Sequence, residues 1–259
     1  MARETLTVLS LNAWGGRALY SLMRTLRNRK TEVDIFCFQE VFDADPAETE
    51  ARHPDEYCRG DLFSILRREL SEFEGDFARH PDQPSRMSLA MFTRRDLPRH
   101  GAVHFPVYQP ARPVEHGSEV LSARRMQYVR TEVGGRAITV ANYHGLWVPG
   151  PKTDTPERLV QSSNVRLALE STEGEHLLCG DFNLLPDTES VRILAEGMHN
   201  PVVERGVTST RTPLYRHYQN PDEPNFADYV FASKGLEIRR FEVLPDVASD
   251  HAALLITVA

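Results

Sequence analysis

Near the end of the apolar run His176-Leu177-Leu178-Cys179, the chain carries Asp181 and Asn183 in the tetrapeptide Gly180-Asp181-Phe182-Asn183. Residues two apart in an extended strand share a face, so the carboxylate and the carboxamide emerge together while Phe182 turns into packing. A carboxylate that accepts a proton, next to an amide that donates a hydrogen bond, can orient and activate a water molecule. The same residue types also build ordinary turns. Four further stretches weigh against that plainer reading, each bringing polar groups to the end of an apolar segment. They are Leu11-Asn12-Ala13-Trp14-Gly15, Phe38-Gln39-Glu40-Val41, Asn142-Tyr143-His144-Gly145 and Ser249-Asp250-His251.

Hydrophobic periodicity gives the elements that must hold these groups. Residues 5–11 read as a strand that delivers Asn12 before the turning pair Gly15-Gly16, and residues 17–29 carry Leu19, Leu22, Met23 and Leu26 at helical spacing. Residues 33–38 form a continuous apolar strand with Glu40 just past its end. Residues 42–60 are polar and acidic and read as a surface loop, 61–73 as a helix, and 87–93 as a central strand followed by Arg94 and Arg95. The Pro-rich residues 104–122 lack periodicity and read as a long loop. Residues 126–133 and 137–143 form a hairpin about Gly134-Gly135, which leaves His144 at a strand end with Trp147 and Lys152 in the loop behind it. Thr155-Pro156 has the form of a helix start, cap and first residue, and Arg158 lies in that first turn. Asp187 or Thr188 caps a short helix that runs to residue 196, residues 200–225 are irregular, and 226–231 form a strand containing Asp228. An edge strand over 236–243 and a last strand over 252–258 follow.

Taken in order, the five motifs resemble those of the endonuclease/exonuclease/phosphatase superfamily, whose fold is that of deoxyribonuclease I, and the match runs from about residue 6 to residue 258. The resemblance implies an α+β fold, a four-layer α/β/β/α sandwich of two mixed β-sheets with flanking helices, as one domain over residues 1–259. It implies a metal-dependent phosphoester hydrolase. Glu40 matches the main Mg²⁺ (or Mn²⁺) ligand, with Asn12 and Asp250 in or near its shell, and a hard carboxylate suits such an ion. Asp181 would orient and deprotonate water, Asn183 would donate to Asp181 or to the phosphate, and His144 and His251 would donate to the phosphate. Asp228 would orient His251 and, as a neighbouring carboxylate, raise its pKa. Lys152, Arg158, Trp147 and Arg94 are the candidate substrate-binding residues.

The chain has 259 residues, 41% hydrophobic and 26% charged, which is the composition of an ordinary globular protein. A formal net charge of -7 argues against broad electrostatic capture of nucleic acid but leaves room for a local basic groove. The basic side chains are nearly all Arg, with Lys at positions 30, 152 and 234 alone. Three cysteines, no signal-peptide pattern and no run of membrane-spanning length lead to the expectation of a cytoplasmic monomer. A phosphodiesterase or nuclease acting on nucleic acid is the first expectation. A phosphatase or phospholipase-type hydrolase of lipid head groups or inositol phosphates is the alternative. A non-catalytic binding module is disfavoured, because every polar position of the motif set holds a chemically competent residue.

Overall fold

All of strand β1 (Leu6–Asn12) is buried, and its alternate side chains divide between two apolar clusters, Leu6 and Val8 in one, Leu9 and Leu11 in the other. Its largely apolar sequence, with Thr7 and Ser10 as small polar interruptions, is that of a strand covered on both faces. Strand β2 (Ile35–Val41) repeats the division, with Ile35 and Cys37 on one side and Phe36 and Phe38 on the other. It runs parallel to β1 and is reached through a 3-10 turn (Trp14–Gly16) and helix α1 (Leu19–Arg29). These features come from a computed structural model, which describes residues 3–45, 47, 57–79, 87–110, 122–220 and 224–259.

The remaining elements are α2 (Leu62–Glu69), β3 (Phe73–Ala78), β4 (Ser88–Arg94), β5 (Arg99–Tyr108), β6 (Arg124–Val133) and β7 (Arg136–His144). They continue with α3 (Pro156–Glu170), β8 (Glu175–Asp181), α4 (Glu189–Ala195), β9 (Met198–His199), α5 (Pro201–Glu204), β10 (Asp228–Ser233), β11 (Ile238–Val243) and β12 (Leu254–Val258). Two mixed six-stranded sheets result, in the orders β11-β12-β1-β2-β4-β3 and β5-β6-β7-β8-β10-β9. One apolar cluster fills the space between the sheets and continues beneath α3 and α4, through Val165, Leu169, Val191 and Leu194. The other lies on the outer face of the first sheet under α1 and α2, through Leu22, Leu26, Leu62 and Leu66. This is the expected α/β/β/α sandwich, and each fully buried Leu or Phe in it contributes about 1.5–3 kcal/mol.

Local chemistry explains where several elements begin. The Thr155 hydroxyl accepts from the Arg158 N–H with Pro156 in the first helical position, and Thr188 caps α4 in the same way. Three expectations need correction. The helix expected over 61–73 stops at Glu69, and Phe73 opens a strand instead. Residues 99–108, which overlap the expected loop, form β5, an edge strand whose largely exposed side chains and Pro106 give no alternating signal. β2 runs on through Gln39 and Glu40 to Val41. Of the loops expected over 42–60, 104–122 and 200–225, residues 46, 48–56, 111–121 and 221–223 lie outside the described residues. No helix among the described residues is long and apolar enough to cross a membrane.

Buried amides join the sheets below one rim. Gln39 Nε2 donates to Asn142 Oδ1 at 2.7 Å, and Asn142 Nδ2 donates to the carbonyls of Phe38 and Ala90. With these donors paired, the amides fix the two sheets against each other directly beneath Glu40 and His144.

Candidate active site

Strands β1, β2, β7 and β8 end at the same rim, and β10 and β12 begin there, as their parallel and antiparallel pairings require. In the second sheet the register sets His144 opposite Asp181 and Asp181 opposite Asp228, so three ionisable residues stand in one row. All three are buried. The close approach of β7 and β8 requires Gly180, whose φ is 147° and where a Cβ would fall 1.9 Å from the Tyr143 carbonyl oxygen.

The first sheet reaches across to this row. Asn12 Nδ2 donates to Asp181 Oδ2 at 2.9 Å, and its Oδ1 accepts from the Trp14 N–H at 2.9 Å. Asp181 Oδ1 accepts from the Asn183 N–H at 2.9 Å, so both of its oxygens are held. Glu40 sits where the β2–β4 register breaks between Phe38 and Val41, and its φ is 55°. Such an irregularity re-aims a side chain, here into the cavity. Trp14, Glu40 and Asn183 are the non-glycine residues with positive φ among the described residues, and all three line this cavity. Sparsely populated backbone conformations of this kind persist where the surroundings enforce them, and they cluster at functional sites.

His251 is held from both ends. Its Nδ1 lies 3.0 and 2.9 Å from the two oxygens of Asp228, and Arg211 NH1 donates to its Nε2. The last contact needs a lone pair on Nε2, so Nδ1 carries the proton and donates it to Asp228. Burial, and after it the Arg211 charge, push the His251 pKa down to about 4, against the pull of Asp250 and Asp181. Against the expectation that Asp228 would raise it, burial first and the Arg211 charge second lower it, and sequence reasoning did not place Arg211 there. Burial alone would raise the Asp181 pKa, but His251, His144, Arg211 and Lys152 outweigh it and hold the carboxyl well below its usual range. His144 Nε2 and His251 Nε2 lie 3.7 and 3.6 Å from Asp181 Oδ2, which makes this oxygen the meeting point of the site.

Glu40, His144 and Asp181 offer ligand atoms within 4.8 Å of one another. Two carboxylates with one imidazole are a donor set that can hold a divalent metal ion. Asn12 and Asp250, expected in or near the shell of the ion, both make hydrogen bonds at this rim, and Asp250 lines the cavity with Glu40. The Asn12 amide serves Asp181 and Trp14, and Asp250 Oδ2 accepts from Arg211 NH1 at 3.0 Å.

Lys152 and Trp147 line the cavity, with the Lys152 Nζ donating to the Phe226 carbonyl at 2.7 Å. Arg158 and Arg94 do not. Arg158 is 2% exposed and donates to the carbonyls of Leu146, Pro151 and Thr153, clasping the loop that carries Lys152. Arg94 lies at the opposite rim, because β4 is antiparallel to β2, and there it donates to the Lys30 and Val33 carbonyls and covers the Phe73 ring. Along a strand that is roughly 20 Å from Glu40. Arg17, Arg124, Arg211 and Tyr215 also line the cavity and were missed by sequence reasoning. Arg211 stands in an irregular segment with no motif to mark it.

The fold and the rim define a class before any relative is considered, a two-sheet sandwich with a carboxylate- and imidazole-lined cavity at the strand ends. The Endonuclease/Exonuclease/phosphatase family matches residues 9–251, and the chain belongs to that family. Among solved structures it is similar to a family member from Bacteroides thetaiotaomicron, with 16% identity, TM-score 0.72, and coverage of 100% of this chain and 96% of that one. It is also similar to the mannosyl-6-phosphatase of B. thetaiotaomicron VPI-5482, with 16% identity, TM-score 0.71, and 98% and 99% coverage. Humanized TDP2 of D. rerio shows 14% identity, TM-score 0.71, and 98% and 99% coverage. No curated protein matches the chain.

Proposed function

We propose that the protein hydrolyses a phosphoester by attack of a water molecule, with Mg²⁺ or Mn²⁺ held by Glu40 and by the neighbouring Asp181 and His144. The observation that carries this reading is the convergence of Glu40, Asn12 and His251 from the strands of one sheet with His144, Asp181 and Asp228 from the other. The ion would neutralise charge on the phosphoryl oxygens. Asp181 orients the water and takes its proton. A carboxylate made so acidic by surrounding cations is a weak base until their charge is offset, and an incoming phosphoryl group does this. Asn183 holds the Asp181 carboxylate through its N–H. Its carboxamide faces the cavity, and the Asp228-oriented His251 would face the phosphoryl group.

The substrate we infer is a phosphoester that enters a cavity of about 500 Å³, such as a small molecule or a terminal phosphate. A long duplex would need cations spread along the rim, yet Arg94 and Arg158 are turned to backbone carbonyls. The end of a nucleic-acid strand is the second reading, favoured by Trp147, which is 41% exposed beside the cavity and offers a stacking surface. The test is a Mg²⁺-supported panel of abasic, single-stranded and double-stranded DNA, RNA, a lipid phosphodiester, inositol phosphates and sugar phosphates. Turnover should be found on small or terminal phosphates and should vary little with salt. Turnover confined to internal positions of duplex DNA, with a steep salt dependence, would contradict the substrate reading.

A further inference from the structure

The strand ends furnish one wall of the cavity, and two irregular segments, residues 146–154 and 209–217, furnish another. The second segment is fixed at its base. Thr210 N donates to the Asn225 carbonyl, Ala252 N to the Thr210 carbonyl, and Thr212 N to the Asp250 carbonyl, at 2.8, 2.9 and 3.0 Å. The Thr210 hydroxyl in turn accepts from the N–H groups of Ala227 and Asp228. Arg211 is thus held between the approaches to β10 and β12, on the same strand entries that carry Asp228 and His251.

Arg211 is only 8% exposed. The guanidinium lies 4.4 Å from the centroid of the Tyr215 ring, NH1 is shared between Asp250 Oδ2 and His251 Nε2, and Nε is buried without a hydrogen-bond partner. Lys152 Nζ stands 5.8 Å from the same Tyr215 ring, makes no ion pair among the described residues, and donates to one backbone carbonyl. A buried and a half-buried cation therefore share one aromatic post. Among the described residues that line the cavity, Lys152 and Arg211 are neighbours of Tyr215. Burial, and after it the Arg211 charge, push the Lys152 pKa down to about 8. Buried like charges with an unpaired N–H are costly unless an anion joins them.

We propose that Arg211 and Lys152, held about Tyr215, form a clamp for the phosphoryl oxygens, in which Arg211 exchanges His251 Nε2 for an oxygen of the substrate. The clamp rests on the phosphoester reading above and adds to it a cause of selectivity. A terminal phosphate, with its greater charge, gains more from two cations than a diester does. The exchange also turns His251 Nε2 from an acceptor of Arg211 into a group that faces the substrate, so binding and the completion of the site become one event.

The experiment is calorimetric titration of inorganic phosphate into metal-free protein in EDTA, for wild type, Arg211→Gln, Arg211→Lys, Tyr215→Phe, Tyr215→Leu and the distant Arg95→Gln. Turnover of an aryl phosphomonoester and of its methyl diester is then measured with metal. Phosphate affinity should fall about tenfold or more in Arg211→Gln and Tyr215→Leu. It should stay close to wild type in Tyr215→Phe and Arg95→Gln, and Arg211→Gln should lose more on the monoester than on the diester. Phosphate affinity unchanged in both Arg211→Gln and Tyr215→Leu, with wild-type thermal melting, overturns the clamp. If Arg211→Gln does not fold, Arg211→Lys and Tyr215→Leu carry the same test. Should wild type hydrolyse no phosphoester while phosphate binding still depends on Arg211, the hydrolase reading falls and the clamp stands. Should it hydrolyse phosphoesters while phosphate binding ignores Arg211 and Tyr215, the clamp falls and the hydrolase reading stands.

Discussion

Replacing Asp228 by Asn keeps the shape of the side chain and removes its charge, at a residue that is 3% exposed and touches His251 Nδ1 with both oxygens at 2.9–3.0 Å. An amide can meet Nδ1 in two ways. With its oxygen toward Nδ1 the tautomer survives but the hydrogen bond loses its ionic partner. With its NH₂ toward Nδ1 the proton must move to Nε2, where it confronts the Arg211 N–H. Either way one charge-assisted hydrogen bond, worth about 1.5–3 kcal/mol, is lost. If that energy orients His251 in the transition state, turnover drops by roughly 10- to 200-fold. The assay is a cycle of wild type, Asp228→Asn, His251→Ala and the double variant. Because the two residues act as one unit, the double variant should be hardly worse than His251→Ala alone. Losses that simply multiply would refute the coupling, whatever the distances.

Three other outcomes follow from the same geometry. Glu40→Gln should reduce turnover by at least ~100-fold and weaken Mn²⁺ binding, measured separately by titration, while the thermal melt stays near wild type; full activity with metal present would exclude Glu40 as a ligand. Lys152 has its pKa at about 8, so it is a cation below that pH and neutral above it. Phosphate affinity should therefore weaken as pH rises through about 8 in wild type but not in Lys152→Arg, whose guanidinium stays charged; parallel profiles would show that Lys152 does not touch the anion. Gly180→Ala should lower the melting temperature sharply and remove activity with it, since the added Cβ meets backbone that cannot move aside.

The sequence carries the strand-end groups well, because each follows an apolar run and precedes a turn. Asn12, Glu40, His144 and Asp181 could be placed by position alone. Which rim a strand end belongs to is another matter, since it depends on strand direction. Arg94 ends its strand just as Glu40 ends its own, and only the antiparallel pairing of β4 with β2 sends it to the far side. Arg158 shows a related limit: its place in the first turn of α3 says nothing of the three loop carbonyls that capture its guanidinium. β3 and β5 were hidden because strands at the edge of a sheet need little apolar alternation. Arg211 escaped notice for a deeper reason. It is positioned by backbone pairing between residues forty positions apart, and its charge adds to burial in lowering the His251 pKa, opposite to what the Asp228–His251 pair alone implies.

Side-by-side turnover of wild type and Asp181→Asn, on the best substrate from the panel and across a titration of Mg²⁺ and Mn²⁺, asks whether Asp181 and a bound metal together carry the hydrolysis. Wild-type hydrolysis should need the metal and vanish in EDTA. Asp181→Asn should lose at least ~1000-fold at every metal concentration, since the base and a metal-side carboxylate go together. Asp181→Asn turning over as wild type does, or wild type hydrolysing at full rate in EDTA, would contradict that joint role.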